Sequence, residues 1–144
     1  MICQKAVDLV KNFEGKYLKT YRCPAGVLTI GYGHTGADVT LGMVITEQEA
    51  EILLQNDLTH AASVVARMVH IDLDANQFGA LASFVFNVGE GAFQNSSMLR
   101  DINAGNFDDA AQQFGRWVHG GGNVLPGLVR RRDAERMLFL SQYV

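Results

Sequence analysis

A chain of 144 residues with 48% apolar and 19% charged residues and a net charge of −3 is long enough to bury a core in one domain without metal or disulfide staples, and too apolar to be disordered. No apolar run reaches bilayer-spanning length, and Lys5, Asp8 and Lys11 interrupt the place where a signal peptide's apolar core would lie; neither stable membrane insertion nor an export signal is expected, and synthesis in the cytoplasm is. The two cysteines, Cys3 and Cys23, have neither CxxC nor His-interleaved spacing, which predicts reduced thiols and no metal site.

Charge is unevenly spread: residues 1–115 carry 7 Lys+Arg against 13 Asp+Glu, and residues 116–144 carry 5 against 2. Arg130, Arg131 and Arg132 lie within the basic tail. Three successive side chains on a helix point three ways, so structural pairing suits them better than a polyanion, and duplex nucleic acid is not an expected partner.

In chain order, Cys3, Ala6, Val7, Val10 and Phe13 recur at helical spacing and predict a helix over about residues 3–14, ended by Gly15. Short β-prone runs follow at 17–22, 27–32 and 43–45, separated by Pro24 and several glycines, and predict a small antiparallel sheet. Thr46 with Glu49 forms a capping box. It opens a helix to about residue 68 whose apolar stripe (Ala50, Leu53, Leu54, Leu58, Ala61, Val64, Val65, Met68) is longer than one lobe requires, as in a connecting strut.

A second box, Asp74 with Gln77, opens a helix to about Val88 that is apolar on nearly every side and therefore belongs in the core. Gly89 and Gly91 should end it. Ser96 should cap a short helix closing at Gly105, and Asn106 another carrying Phe107, Ala110, Ala111 and Phe114. His119–Asn123, with three glycines, reads as the most flexible loop, and Pro126 as the entrance of a last helix. The fold class is α+β: a small sheet-bearing lobe over about 15–46, a connecting helix over 47–68, and a helical lobe over 74–144 that includes the first helix, with a cleft between.

Chemistry concentrates between Phe13 and Thr35. Glu14 ends a helix beside an apolar surface; burial there would raise its pKa and suit it to donate a proton, and the plain alternative is a solvated glutamate before a turn glycine. Gly31-Tyr32-Gly33-His34-Thr35-Gly36 is formally GxGxxG, but residues 37–42 have no helix period and no βαβ unit surrounds them, so the glycines serve tight turns and no dinucleotide is expected. His34 has no ligand partner at metal-site spacing and reads as a hydrogen-bonded structural histidine.

Taken together, Glu14, Cys23 and Thr29 are spaced E-x8-C-x5-T, followed by TIGYGHT, QFGALASFVFNVG, FQNSSMLRDINAGNFDDAAQQFGRW and GLVRRRDAERMLF. In that order, these blocks closely resemble the phage-type lysozymes of glycoside hydrolase family 24, the endolysins related to the T-even phage enzyme. The resemblance covers essentially the whole chain and implies a single lysozyme-like domain over residues 1–144. It also implies muramidase activity on bacterial peptidoglycan, at the β-1,4 bond between N-acetylmuramic acid and N-acetylglucosamine.

By the same resemblance Glu14 is the general acid and Cys23 and Thr29 act on the water side, while Thr35, Phe86, Asn87, Ser96 and Gln113 line the substrate cleft. Cys23 stands where the family also has aspartate. Water positioning, thiolate formation and covalent attack stay open for it, with water handling or electrostatic help, aided by Thr29, favoured. A Cys3–Cys23 disulfide would make a redox switch, although Cys3 on an apolar helix face reads more simply as core. Phe86 and Trp117 have a sugar-stacking reading and a core reading. Arg130 either meets peptide-stem carboxylates or pairs with Asp133 or Glu135. A monomer is expected, with no cofactor, stored in the host cytoplasm until a holin releases it to the wall. The rival readings are a wall-binding module made inactive by Cys23 and a cysteine hydrolase built on Cys23 and His34.

Overall fold

The computed structural model describes residues 2–142. Helix α1 (Gln4–Glu14) ends at Gly15, whose φ of 72° is reached without strain by glycine. Strands β1 (Tyr17–Arg22) and β2 (Leu28–Gly31) pair antiparallel, with Tyr21 opposite Thr29 and Arg22 opposite Leu28 and an irregularity between Tyr17 and Tyr21. The predicted third strand over residues 43–45 is reduced to an isolated Lys19–Val44 bridge. Backbone bonds Thr20 N to Met43 O and Ile45 N to Leu18 O tie the segment to β1, and Thr20 Oγ1 turns onto the carbonyls of Thr40 and Met43 instead of leaving a regular ladder.

Helix α2 (Glu47–Met68) begins at the full Thr46–Glu49 capping box, and 22 residues span about 33 Å. Its buried face touches three apolar clusters in succession. Ala50 joins Ile30, Val39 and Ile45 under the sheet; Leu54 and Leu58 join Val7 and Val10 of α1; Ala61, Val64 and Val65 enter the main core. Among the described residues, the strut is thus the one element that packs in every cluster. Lys11–Glu51 and Lys16–Glu47, each at 2.5 Å, bind its first turns to α1 and to the start of β1, although exposed pairs of this kind add little stability.

Helix α3 (Ala75–Val88) starts at the Asp74–Gln77 box and buries every residue from Gly79 to Val85. Phe84 lies edge-on to Phe93, Phe114 and Trp117. A helix of one turn and more, α4 (Glu90–Gln94), follows where the glycines predicted only a break. Next come α5 (Ser97–Asn103), capped by the Ser96 hydroxyl, and α6 (Phe107–Gln113), then a 3-10 turn at Phe114–Arg116. Asn106 precedes α6 but gives no side-chain cap, its ψ of 70° lying outside the extended range; its N–H donates to Asp101 O at 2.8 Å.

The glycine loop read as flexible forms a short hairpin of β3 (His119–Gly120) and β4 (Asn123–Val124). Gly121 and Gly122, at φ 58° and 83°, supply the two left-handed positions that a tight hairpin turn needs. Helix α7 (Pro126–Leu140) has proline in its first turn and packs chiefly on α3.

Candidate active site

The C-terminal end of α1 delivers Glu14 to the junction of the lobes. Its carboxylate is 19% exposed and enclosed from two sides. Gly33, in the turn after β2, is so close that a Cβ there would collide with Glu14 Oε1. On the other side Arg131 Nη1 of α7 donates to Glu14 Oε2. Beside the apolar surface expected for it, Glu14 thus has a partly buried ion pair that the sequence reading did not include, brought to it by α7. A groove of about 740 Å³ lined by Glu14, Pro24, Asn87, Leu125, Arg130 and Arg131 opens on one side. A second, of about 240 Å³ and lined by Gly33, Thr35, Asp57, His60 and Phe86 among others, opens beside Gly33.

The turn between β1 and β2 is closed by Gly26 N to Cys23 O at 2.7 Å and Cys23 N to Val27 O at 3.0 Å, with Pro24 pre-set for its second position. This geometry holds the Cys23 thiol below its ordinary pKa: the Val27 backbone N–H is the largest cause, and against burial the Ala25 N–H and the Thr29 hydroxyl add to it. Thr29 is 3% exposed and donates from Oγ1 to Val27 O at 3.0 Å. Tyr21, opposite Thr29, is raised by burial, by Tyr17, and by the charges of both Glu14 and Cys23. One phenol thus lies within electrostatic reach of both groups.

A profile described as phage lysozyme matches residues 11–135. The chain belongs to the phage lysozyme family. It is 40% identical over 144 residues to an endolysin of Acyrthosiphon pisum secondary endosymbiont phage 1, covering 97% of this chain and 98% of that one. It is 44% identical over 142 residues to an endolysin of Bacillus phage B103, covering 97% of this chain but 54% of the relative, so it spans about half the length of that protein. Among solved structures, the muramidase domain of SpmX from Asticaccaulis excentricus superposes with a TM-score of 0.90 at 40% identity, covering 99% of both chains.

In this phage lysozyme Thr35 and Phe86 line the smaller groove and Asn87 the larger one. The other two cleft candidates are engaged within the fold. Ser96 is 5% exposed, and its hydroxyl accepts from Leu99 N and donates to Phe93 O, so the helix cap consumes it. Gln113 is engaged at both ends of its amide, accepting from Ser97 Oγ and donating to Asp101 Oδ2 at 2.5 Å, which fastens α6 to α5. Trp117 packs edge-on against Phe84, 5.5 Å between centroids, in the core reading rather than the stacking one.

The arginines divide as three successive helical positions must. Arg130 is exposed on the lip of the larger groove and has no salt bridge among the described residues. Glu135, considered as its partner, is instead held by Arg131 Nε at 3.3 Å and Arg132 Nη1 at 2.6 Å.

Cys3 points its sulfur toward Asn76 and Gly79 in the helical lobe, whereas Cys23 sits in the sheet lobe beyond the other end of α1. Both are free, and the proposed disulfide is withdrawn because a helix of about 16 Å separates their elements. His34 bonds Asp57 Oδ2 through Nδ1 at 2.7 Å and Asp38 Oδ2 through Nε2 at 2.9 Å. That occupies both ring nitrogens, so it serves as neither ligand nor base for Cys23. Gly31 and Gly33 shape the Ile30–His34 turn, and no helix follows them. Among the described residues no cluster of His, Cys, Asp and Glu converges as a metal site. Arg131 and Tyr21 were missed as site residues: Arg131 reads as one of three equivalent charges, and Tyr21 as one residue of a β-prone run.

Proposed function

We propose that this phage lysozyme is a muramidase of glycoside hydrolase family 24, on the T-even line. It hydrolyses the β-1,4 bond between N-acetylmuramic acid and N-acetylglucosamine in bacterial peptidoglycan and acts as an endolysin. The observation that carries the reading is the Glu14 carboxyl, held by Gly33 and Arg131 where two grooves meet, one lined by Glu14 and the other by Gly33.

The reaction needs a proton on the leaving oxygen as positive charge grows on the anomeric carbon. Glu14 donates that proton, and the bridging oxygen departs as a hydroxyl. Water then bonds to the anomeric carbon from the opposite face and loses its own proton. In an inverting enzyme the group serving that water stands about 6.5–9.5 Å from the acid. Cys23 fills this role: its lowered pKa gives it more thiolate near neutrality than a free cysteine, which favours acceptance of the water's proton. Thr29 supports the thiol and orients the water. On the substrate side, the Asn87 amide suits an acetamido group, Thr35 the sugar hydroxyls, Phe86 a sugar face, and Arg130 a peptide-stem carboxylate.

The enzyme acts as a monomer, without cofactor, and reaches the wall from the host cytoplasm when a holin opens the membrane. Lysis by the chain expressed without a holin would reject that route.

Incubation of purified protein with isolated Gram-negative sacculi, followed by borohydride reduction of the soluble fragments, tests the activity. Reduced muramic acid at the new ends is expected. Reduced glucosamine there would contradict the bond assignment, and sedimentation with the wall without new ends would leave only a binding module.

A further inference from the structure

Helix α7 buries three charged side chains: Arg131 is 4% exposed, Arg132 1% and Glu135 0%. Burying ions is costly, and an apolar replacement would stabilise a core of this size as well or better. What they connect is therefore informative. Glu135 Oε2 accepts from Ser83 Oγ at 2.5 Å and from Arg131 Nε at 3.3 Å, and Glu135 Oε1 accepts from Arg132 Nη1 at 2.6 Å. The far end of Arg131 meets Glu14, and its Nη2 donates to Ser83 O and Oγ. The far end of Arg132 donates to Asn87 Oδ1. One carboxylate thus stands behind both the acid and a groove-lining amide.

We propose that Glu135 is a positioning residue for Glu14. It draws on the Arg131 guanidinium from behind, so that Arg131 fixes the acid's carboxyl in the groove without giving it a whole unshared positive charge. The inference rests on Glu14 being the proton donor. A guanidinium facing only a carboxyl favours its ionised form, which is useless as an acid; sharing the guanidinium between two carboxylates keeps the anchor and weakens that bias. The charged and titratable groups around Glu14 are Arg131, Arg132 further along α7, and the Tyr21 phenol on β1. Those around Glu135 are Arg131 and Arg132, with the Ser83 hydroxyl from α3. Two arginines against two glutamates leave the cluster neutral. Arg132, held by Glu135, also takes Asn87 Oδ1, which leaves the Asn87 NH2 as its free end, a donor for a carbonyl of the substrate.

Glu135→Gln keeps the shape and removes the charge. Its kcat/KM–pH profile is expected to lose its alkaline limb about one pH unit earlier, with a tenfold loss above the limb that is regained at lower pH. The carboxyl 13C resonance of Glu14 should titrate with the same displacement. An alkaline limb and a Glu14 titration both unmoved, with kcat reduced equally at every pH in a folded variant, would overturn the proposal and leave Glu135 a packing residue. Should the single variant fail to fold, Glu135→Gln with Arg132→Met removes one charge of each sign and leaves Arg131 facing Glu14 alone. The same displacement there supports the proposal, and its absence overturns it. The titration decides the coupling without reference to catalysis, so activity retained by Glu14→Gln would sink the functional reading separately.

Discussion

At the scale of single residues, the site depends on what is missing from Gly33 as much as on what Glu14 carries. Gly33 has φ 73°, and a Cβ would enter the space of the Glu14 carboxyl. Gly33→Ala should cost about 1–3 kcal/mol in backbone strain. Because the carboxyl must move aside, it should also lower kcat on the order of a hundredfold; a variant as active as the parent would show that the contact does not position the acid. For Cys23, substitution by Asp should retain wall cleavage and substitution by Ser should lose most of it, since only the former offers a proton acceptor at neutral pH. Loss in both would reopen covalent attack by sulfur, which retention of configuration at the anomeric carbon would establish.

His34 supplies the pH prediction. Burial lowers its pKa, but the hydrogen bonds to Asp57 and Asp38 outweigh this and leave it raised. A raised folded value means that the protonated histidine stabilises the fold fully below its ordinary value of about 6.5, and that the contribution fades as pH rises through the folded value. A hydrogen bond to a charged group is worth about 1.5–3 kcal/mol. The melting temperature of Asp57→Asn should therefore trail that of the parent most near pH 5.5 and approach it as pH rises through the folded value. A gap that widened with pH would contradict the pairing.

Among elements, the strut and the central helix take their starts from capping boxes that stand in the sequence. Thr46→Ala should cost about 1 kcal/mol, or about 3 °C in a chain of this size, with activity on sacculi retained. At the crossing of α1 and α3, a Cβ on Gly79 would lie 2.7 Å from Ala6 Cβ and 2.9 Å from Cys3 Sγ. Overpacking of about 1–3 kcal/mol outweighs the helix propensity of about 1 kcal/mol that alanine would add, so Gly79→Ala should destabilise; a higher melting temperature would show that α1 yields.

The long elements were legible because period, caps and glycine stops agree: α2 and α3 span the residues that their boxes and apolar faces predict. The rest lay below that resolution. Helix α4 holds five residues and hairpin strands β3 and β4 two each, too few for a period, and the turn between the strands comes from two left-handed glycines rather than from alternation. Asn106 shows a cap-forming residue type whose backbone, at ψ 70°, lies outside the extended conformation in which a side-chain cap forms.

For the molecule as a whole, the spacing of Glu14, Cys23 and Thr29 and the blocks that follow were enough to recognise the family, because they lie on contiguous stretches of chain. What sequence reading could not supply is the approach of α7, 117 residues from Glu14, which turns an isolated acid into one end of a buried charge cluster. Nor could it show that Gln113 spends its amide on Ser97 and Asp101 of α5, whereas the Ser96 cap is local and stands in the sequence. The α7 and Gln113 contacts are long-range, and no local pattern encodes them.

The central claim is that Glu14 gives the proton that breaks the wall's glycosidic bond. Glu14→Gln keeps the shape of the side chain and removes the acid, so the release of muramic-acid ends from isolated sacculi at neutral pH, measured beside the thermal melt of the same sample, tests it most directly. A folded variant should lose about 10²–10⁴ in rate. A folded variant that releases ends at the parent's rate would contradict the account.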